Sequence, residues 1–318
     1  MGRLLVVMLF LTLGASSTMA QAYPDRPVRL VIPFAAGGAL DVIGRPIAEQ
    51  FQRLTGQPMV LENRAGAAGT IAADYVAKAR PDGYTLLMAT SGPVTVAPSL
   101  FAALPYDPQR DLLTVTYLVN MPNALFAAPS AGNDLATILA AARAAPGRIS
   151  FGYPGTASQG HLALALMSQA TGTEFLAVSY RGASLVLNDM VAGTVSLTFT
   201  TYATARGLLA DGRVRPIAVA AATRTASMPD VPTFAELGFP RVEVPLWAGI
   251  MAPRGTPDIV IARLHETLRA AVTSDPIRQI MQGVGADIAA QGPGDFAAML
   301  RADHARWAEV IRLADIKP

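Results

Sequence analysis

This chain of 318 residues predicts an α/β protein built from two units, each a sheet flanked by helices. Three observations carry that class. Strand-like and helix-like patterns alternate β-α-β-α-β from Val28 to Ala89, which argues for a parallel sheet with helices on its faces. The same alternation recurs between about 126 and 243. Two long amphipathic stretches, Pro257 to Ser274 and Pro293 or Asp295 to Ala314, close the chain; their apolar residues (Val260, Leu264, Leu268, Val272; Phe296, Leu300, Trp307, Ile311) recur at a spacing suited to a sheet face.

The first strand is VRLVI, β-branched and alternating, and it should stop at Pro33, which cannot donate to a ladder. Phe34-Ala35-Ala36-Gly37-Gly38 follows, small residues around one ring. A helical apolar period then starts: Val42, Ile43, Ile47, Phe51, Leu54. Gly44 and Pro46 fall inside it, so the regular helix either starts near Gly44 or bends there. Met59 to Leu61 is a short strand. Asn63 to Gly69 is a second glycine-containing turn before a helix over Thr70 to Ala79. Pro81-Asp82-Gly83 is a turn, and Tyr84 to Ala89 is a buried-type strand ending at Thr90-Ser91-Gly92-Pro93. Val115 to Asn120 and Ala124 to Ala128 read as two strands separated by Met121-Pro122-Asn123, where the chain crosses between units. The second unit then runs helix 135–145, strand 149–153, turn Pro154 to His161, helix 162–171, strand 175–178, helix 185–192, strand 195–201, helix 202–211 and strand 216–220. Trp247 to Ala252 is a strand returning to the first unit, and a shorter helix, Pro276 to Gln282, lies between the two closing ones.

Composition narrows the function. Hydrophobic residues make up 52% of the chain and charged ones 15%, which is ample for a core and wrong for disorder. Net charge is +2 with no basic stripe, so nucleic acid is not an expected partner. The absence of cysteine excludes disulfides, thiolate metal sites and a cysteine nucleophile. His161, His265 and His304 lack the i,i+4 spacing of a helical metal pair; neither a metal nor a cofactor is expected. Residues 1–22 have one charge, Arg3, then an apolar run from Leu4 to Leu13 and a small-x-small Ala20-Gln21-Ala22. That is the pattern of a secretory signal peptide, and the run is shorter than the ~20 residues a spanning helix needs. The expected location is the periplasm.

Three turns between a strand and a helix could meet in one cleft. In parallel sheets ligands sit beyond the carboxyl ends of strands, and helix N-termini there offer free N–H groups and a favourable dipole to an anion. The first turn contributes Phe34, Ala36, Gly37, Gly38 and Asp41; the second Thr90 and Ser91; the third Thr156, Ala157, Ser158 and His161. They hold hydroxyls, an amide, an imidazole and backbone donors, but no lysine or arginine, which favours a small anion gripped by neutral groups. Hydrogen bonds to a charged group are worth roughly 1.5–3 kcal/mol each, so three or four, less ordering costs, give affinity near −8 kcal/mol, about micromolar. Each residue also has a plainer role: Asp41, Thr156 and Ser158 suit helix caps, His161 suits a surface position in a first turn, and Gly37-Gly38 suits a tight turn needing positive φ. No nucleophile, base and orienting carboxylate stand at recognisable spacing, and neither a G-x-S-x-G elbow nor a G-x-G-x-x-G fingerprint is present, so an enzyme is not expected.

The segments YPDRPVRLVIPFAAGGALD (23–41), LENRAGAAGTIAADYVAKARPDGYTLLM (61–88), SLFAALPYDPQRDL (99–112), MPDVPTFAELGFP (228–240) and APRGTP (252–257) together resemble the solute-binding proteins of tripartite tricarboxylate transport systems, the Bordetella uptake gene group. The resemblance implies a two-lobed, type II-like periplasmic binding protein with its ligand cleft between lobes. Lobe one would be residues 23–125 plus 244–318, and lobe two 126–243. It further implies a small carboxylate ligand (a di- or tricarboxylate, an acidic amino acid or an aromatic acid), the large and small membrane subunits of a transporter as partners, and a cleft lined by Pro33 to Asp41, Thr90-Ser91 and Thr156 to His161. A receptor that signals through a membrane kinase instead of transporting is the alternative.

The chain departs from that family's pattern. Ala39-Leu40 stand where a Ser-Thr pair is common. Ser196 stands where a later strand often carries aspartate, and Thr200-Thr201 end that strand, placing Thr200 among the candidate ligand contacts. Loss of a second acidic side chain removes a partner for an amino group, so the ligand expected is a carboxylate without an ammonium.

Overall fold

The computed structural model describes residues 23–156, 158–313 and 316; the signal-peptide reading and Ala157 lie outside them. Two sheets share one long strand. The first carries β1 (Val28–Ile32), β2 (Met59–Asn63) and β3 (Thr85–Ala89), all parallel, with α1 (Ala39–Thr55) and α2 (Thr70–Ala77) as crossovers. A wide π-type turn over Gly92–Val96 follows β3, then the short helices α3 (Ala97–Leu100) and α4 (Pro108–Asp111). The shared strand is β4 (Leu112–Ala127).

The second sheet is assembled from α5 (Leu135–Ala144), β5 (Ser150–Tyr153), α6 (Gln159–Thr171), β6 (Leu176–Ser179), α7 (Ala183–Val191), β7 (Leu197–Thr201), α8 (Tyr202–Ala210) and β8 (Arg215–Val219). The chain returns through β9 (Pro245–Pro253), α9 (Asp258–Thr273), α10 (Asp275–Gly283), β10 (Asp287–Gln291) and α11 (Pro293–Leu313). The strand path is β2-β1-β3-β9-β4-β7-β5-β6, with β10 and β8 also on β4. Along β4 the partner changes at one point. Leu112 through Pro122 pair antiparallel with β9, and Asn123 through Ala127 pair with β7.

This corrects the reading of two strands broken at Met121-Pro122-Asn123. Pro122 sits opposite Pro245, so two residues without N–H groups face each other where the ladder changes sheets and no donor is missed. Of the two alternatives for the first helix, only the delayed start is overturned. α1 starts at Ala39 and continues through Pro46, with no delayed start at Gly44. Burial explains the tolerance: Ile43, Ile47 and Phe51 are fully buried against β1 and α9, and that packing outweighs one lost intrahelical bond. β1 is buried on both faces, Leu30 and Ile32 toward α1 and α9, Val31 toward α2 and Phe296 of α11. β10 carried no recognisable signal; it pairs with β4 through an irregularity between Ile288 and Gln291, with Ala290 at φ 50°.

α11 serves both sheets. Phe296 packs with Trp247 and Val31, whereas Trp307 and Ile311 join the cluster holding Leu162, Leu166 and Met167 of α6. The end of α11 is tied to α6 by Gln169 Nε2 donating to the carbonyl of Leu313 at 3.2 Å.

Candidate functional site

The carboxyl ends of β1, β3 and β7 and the amino ends of α1, α6, α7 and α8 surround a cavity of about 80 Å³. That is several times the 10–15 Å³ one water needs on the same measure. Of the residues read from sequence as ligand contacts, Phe34, Gly38, Asp41, Thr90, Ser158 and Thr200 line it.

Of the rest, Ala36, Gly37, Ser91, Thr156 and His161 lie outside its lining. Ala36 and Gly37 are exposed, and the N–H of Gly37 is turned inward to Asp41 Oδ2 at 3.2 Å. Ser91 is fully buried behind the wall. Thr156 is half-buried. His161 stacks on Tyr153 with ring centroids 4.8 Å apart, and burial lowers its pKa. Ser196, read as a lost acidic partner, precedes β7 and bonds Ser150, its N–H donating to Oγ at 2.9 Å. It sits at the far end of the strand from Thr200, so its identity does not bear on the cavity.

Gln159, the amide of the Thr156 to His161 turn read as lining the cleft, also lines the cavity, and so do Asn123, Ala183, Thr201 and Thr204, which sequence reasoning did not single out. Asn123 was hidden by the apparent strand break at Pro122. Ala183 carries no polar signal; its contribution is a backbone position at the start of α7.

The amino ends of α1 and α7 are not capped by side chains. Their N-cap residues are Gly38 and Gly182, neither of which makes a side-chain cap bond. The first-turn N–H groups of Ala39 and Leu40 from one sheet and of Ala183 from the other are therefore available to an acceptor. α6 and α8 are capped by Ser158 and Thr201, which accept from His161 N at 3.3 Å and Thr204 N at 3.4 Å. The hydroxyl of Thr90 is buried and has no hydrogen-bond partner within the described protein, a cost of about 1–3 kcal/mol unless something enters to pair with it.

Among the described residues, Asp41 is the single ionisable side chain on the cavity wall. Its carboxylate oxygens are held by three neighbours. Arg45 Nε donates to Oδ2 at 2.9 Å and Nη2 to Oδ1 at 3.2 Å. Gly37 N also donates to Oδ2, and Asn63 Nδ2 lies 3.4 Å from Oδ1 while donating to the carbonyl of Phe34 at 3.0 Å. Asp41 thus pins the 34–38 turn and spends its acceptors on the protein. The rest of the wall is apolar (Ile32, Phe34, Leu40, Phe199, Leu246) or neutral and polar. At the mouth, a Cβ added to Gly182 would stand 3.2 Å from Ala35 Cβ, so the two sheets' turns touch there.

Residues 43–316 match the family described as "Tripartite tricarboxylate transporter family receptor". BugT of Bordetella pertussis is 33% identical over 300 residues, covering 94% of this chain and 92% of BugT. A structure of an R. palustris protein with adipate superposes with TM-score 0.89 at 36% identity, covering 93% of this chain and 99% of that one. MatC from Rhodopseudomonas palustris with bound malate gives TM-score 0.87 at 31% identity, covering 91% and 100%.

Proposed function

Because this chain belongs to the tripartite tricarboxylate transporter receptor family, whose members are solute-binding proteins rather than enzymes, we propose that it captures a small organic carboxylate outside the cytoplasm and presents it to the large and small membrane subunits of such a transporter. In this reading residues 1–22 direct export. Residues 23–125 with 244–318 and residues 126–243 act as two lobes that close on the ligand.

One observation carries the ligand class. A cavity between the two sheets presents an uncapped helix N-terminus from each side and the unpaired hydroxyl of Thr90, with no cation on its wall. Such a set of neutral donors suits a carboxylate. It does not suit an ammonium, because the one carboxylate on the wall is already occupied by Arg45, Gly37 and Asn63. The relatives solved with adipate and malate hold acids without an amino group, in keeping with this.

A thermal-shift and calorimetric screen of adipate, malate, aromatic acids, aspartate and glutamate tests the proposal. A ligand that binds only the folded state raises the melting temperature by mass action. Amine-free acids are expected to do so and the amino acids not. Tight glutamate binding with no response to any amine-free acid would reject the assignment.

A further inference from the structure

We propose that the side chain of Gln159 is a latch between the two lobes, favouring the closed cleft through Ser91 before ligand binds as well as after. The proposal rests on the two-lobed receptor reading above and adds a residue that sets its conformational balance.

Gln159 is the first residue of α6 and is buried. Its Nε2 donates to the carbonyl of Pro245 and to Ser91 Oγ, the latter at 3.2 Å. Its Oε1 accepts from Asn123 Nδ2 at 3.3 Å, and Asn123 also donates to the carbonyl of Val244 at 2.9 Å. Asn123 and Val244-Pro245 lie where the two connecting strands pass between sheets. A rotation about those strands leaves their bonds to Gln159 in place. Ser91 differs: it follows β3 in the first sheet, whereas Gln159 moves with the second. The Gln159–Ser91 bond therefore spans the moving boundary and breaks on opening.

The remaining partners make the amide a directed donor. The carbonyl of Pro245 can only accept and Asn123 Nδ2 can only donate, so the amide cannot flip, and its second proton points at Ser91 Oγ. Ser91 does not line the cavity, yet it is the neighbour of Thr90, which does. Making this bond seats the Thr90 hydroxyl at the ligand's position before the ligand arrives.

The chain's lack of cysteine allows clean paired labels at exposed Gln52 on α1 and Arg213 after α8. Distance distributions between spin labels there, in the empty protein and with saturating adipate or malate, test the latch. The empty wild type is expected to sample both a long and a short distance. Ser91→Ala, which removes only the cross-boundary bond, should lower the empty protein's closed-to-open ratio about three- to tenfold, the range for one hydrogen bond. It should raise the dissociation constant by the factor by which the empty protein's closed fraction falls and leave the saturated distance unchanged. Gln159→Met, which also loses the bonds to the connecting strands, should shift the ratio in the same direction and by more, and thermal melts of both variants verify folding. Empty-protein distances like those of wild type in both folded variants would overturn the latch. So would weakened binding without any change in the empty distances, which would make the two residues plain ligand contacts. If neither acid binds wild type, the choice of ligand fails, and the empty-protein distances still decide the latch.

Discussion

Arg45 reaches back one helical turn and grips both carboxylate oxygens of Asp41, at 2.9 and 3.2 Å. The guanidinium is more than half exposed, so the pair adds little to stability. Its effect is on the cavity, whose wall would otherwise show a bare negative charge. Arg45→Gln is expected to weaken binding of an organic acid about tenfold or more through restored repulsion. The loss should shrink as salt is raised. Calorimetric titration at two ionic strengths checks this; an unchanged affinity would show that Asp41 does not face the bound acid.

Thr90→Val separates ligand binding from folding. The hydroxyl has no hydrogen-bond partner among the described residues, so removing it should leave the melting temperature unchanged or raised. Affinity for the acid should fall about tenfold, the worth of one hydrogen bond to a charged acceptor. A drop in both quantities together would indicate a structural hydroxyl.

Gly37 and Gly38 should answer oppositely to valine. Gly38 has φ −79°, open to any residue, and an added Cβ meets nothing closer than the Ala35 carbonyl oxygen at 3.6 Å. Gly38→Val should keep the fold and abolish binding by filling the cavity. Gly37 has φ 84°, and valine there should cost about 1–2 kcal/mol in stability from the left-handed backbone alone. Denaturant melts and titrations on the two variants distinguish these outcomes.

Burial holds the pKa of His161 below its ordinary value. The unfolded chain therefore binds more protons between that lowered value and about 6.5. The stability contributed by neutral His161 is fully present above about pH 6.5 and is lost as pH falls through the lowered value. His265, also shifted down by burial, acts in the same direction. His161→Phe, which keeps a ring on Tyr153, should flatten the acid side of the melting-temperature profile; an identical slope would assign the effect elsewhere.

The strand–turn–helix units were legible because backbone punctuation and apolar period mark them directly: VRLVI, Pro33 and the Ile43–Ile47–Phe51 stripe gave both the element and its buried face. The same logic, that ligands gather at strand ends, pointed to Phe34, Gly38, Asp41 and Thr90, which line the cavity, and to Ala36 and Gly37, which do not. What escaped depends on contacts distant in sequence. Asn123 becomes a site residue only because β4 runs unbroken past Pro122, which requires Pro245 opposite it. Ala183 lines the cavity through its backbone, and Gln159 matters through partners 36 to 86 residues away. The π-type turn at Gly92–Val96 resembled a simple loop because Pro93 stands at its start.

From Phe296 to Ile311, α11 is a rod about 22 Å long by helical rise; it starts beside Trp247 of the first sheet and its last turn is tied to α6 of the second by the Gln169–Leu313 bond. Neither half can melt without stripping the rod from its partner, so heating should yield a single calorimetric transition, not two. The same rod bounds how far the halves can swing, because a wide gape would break the Gln169–Leu313 tie between α6 and its last turn. Ligand exchange in this protein is accordingly a matter of small excursions on a short tether.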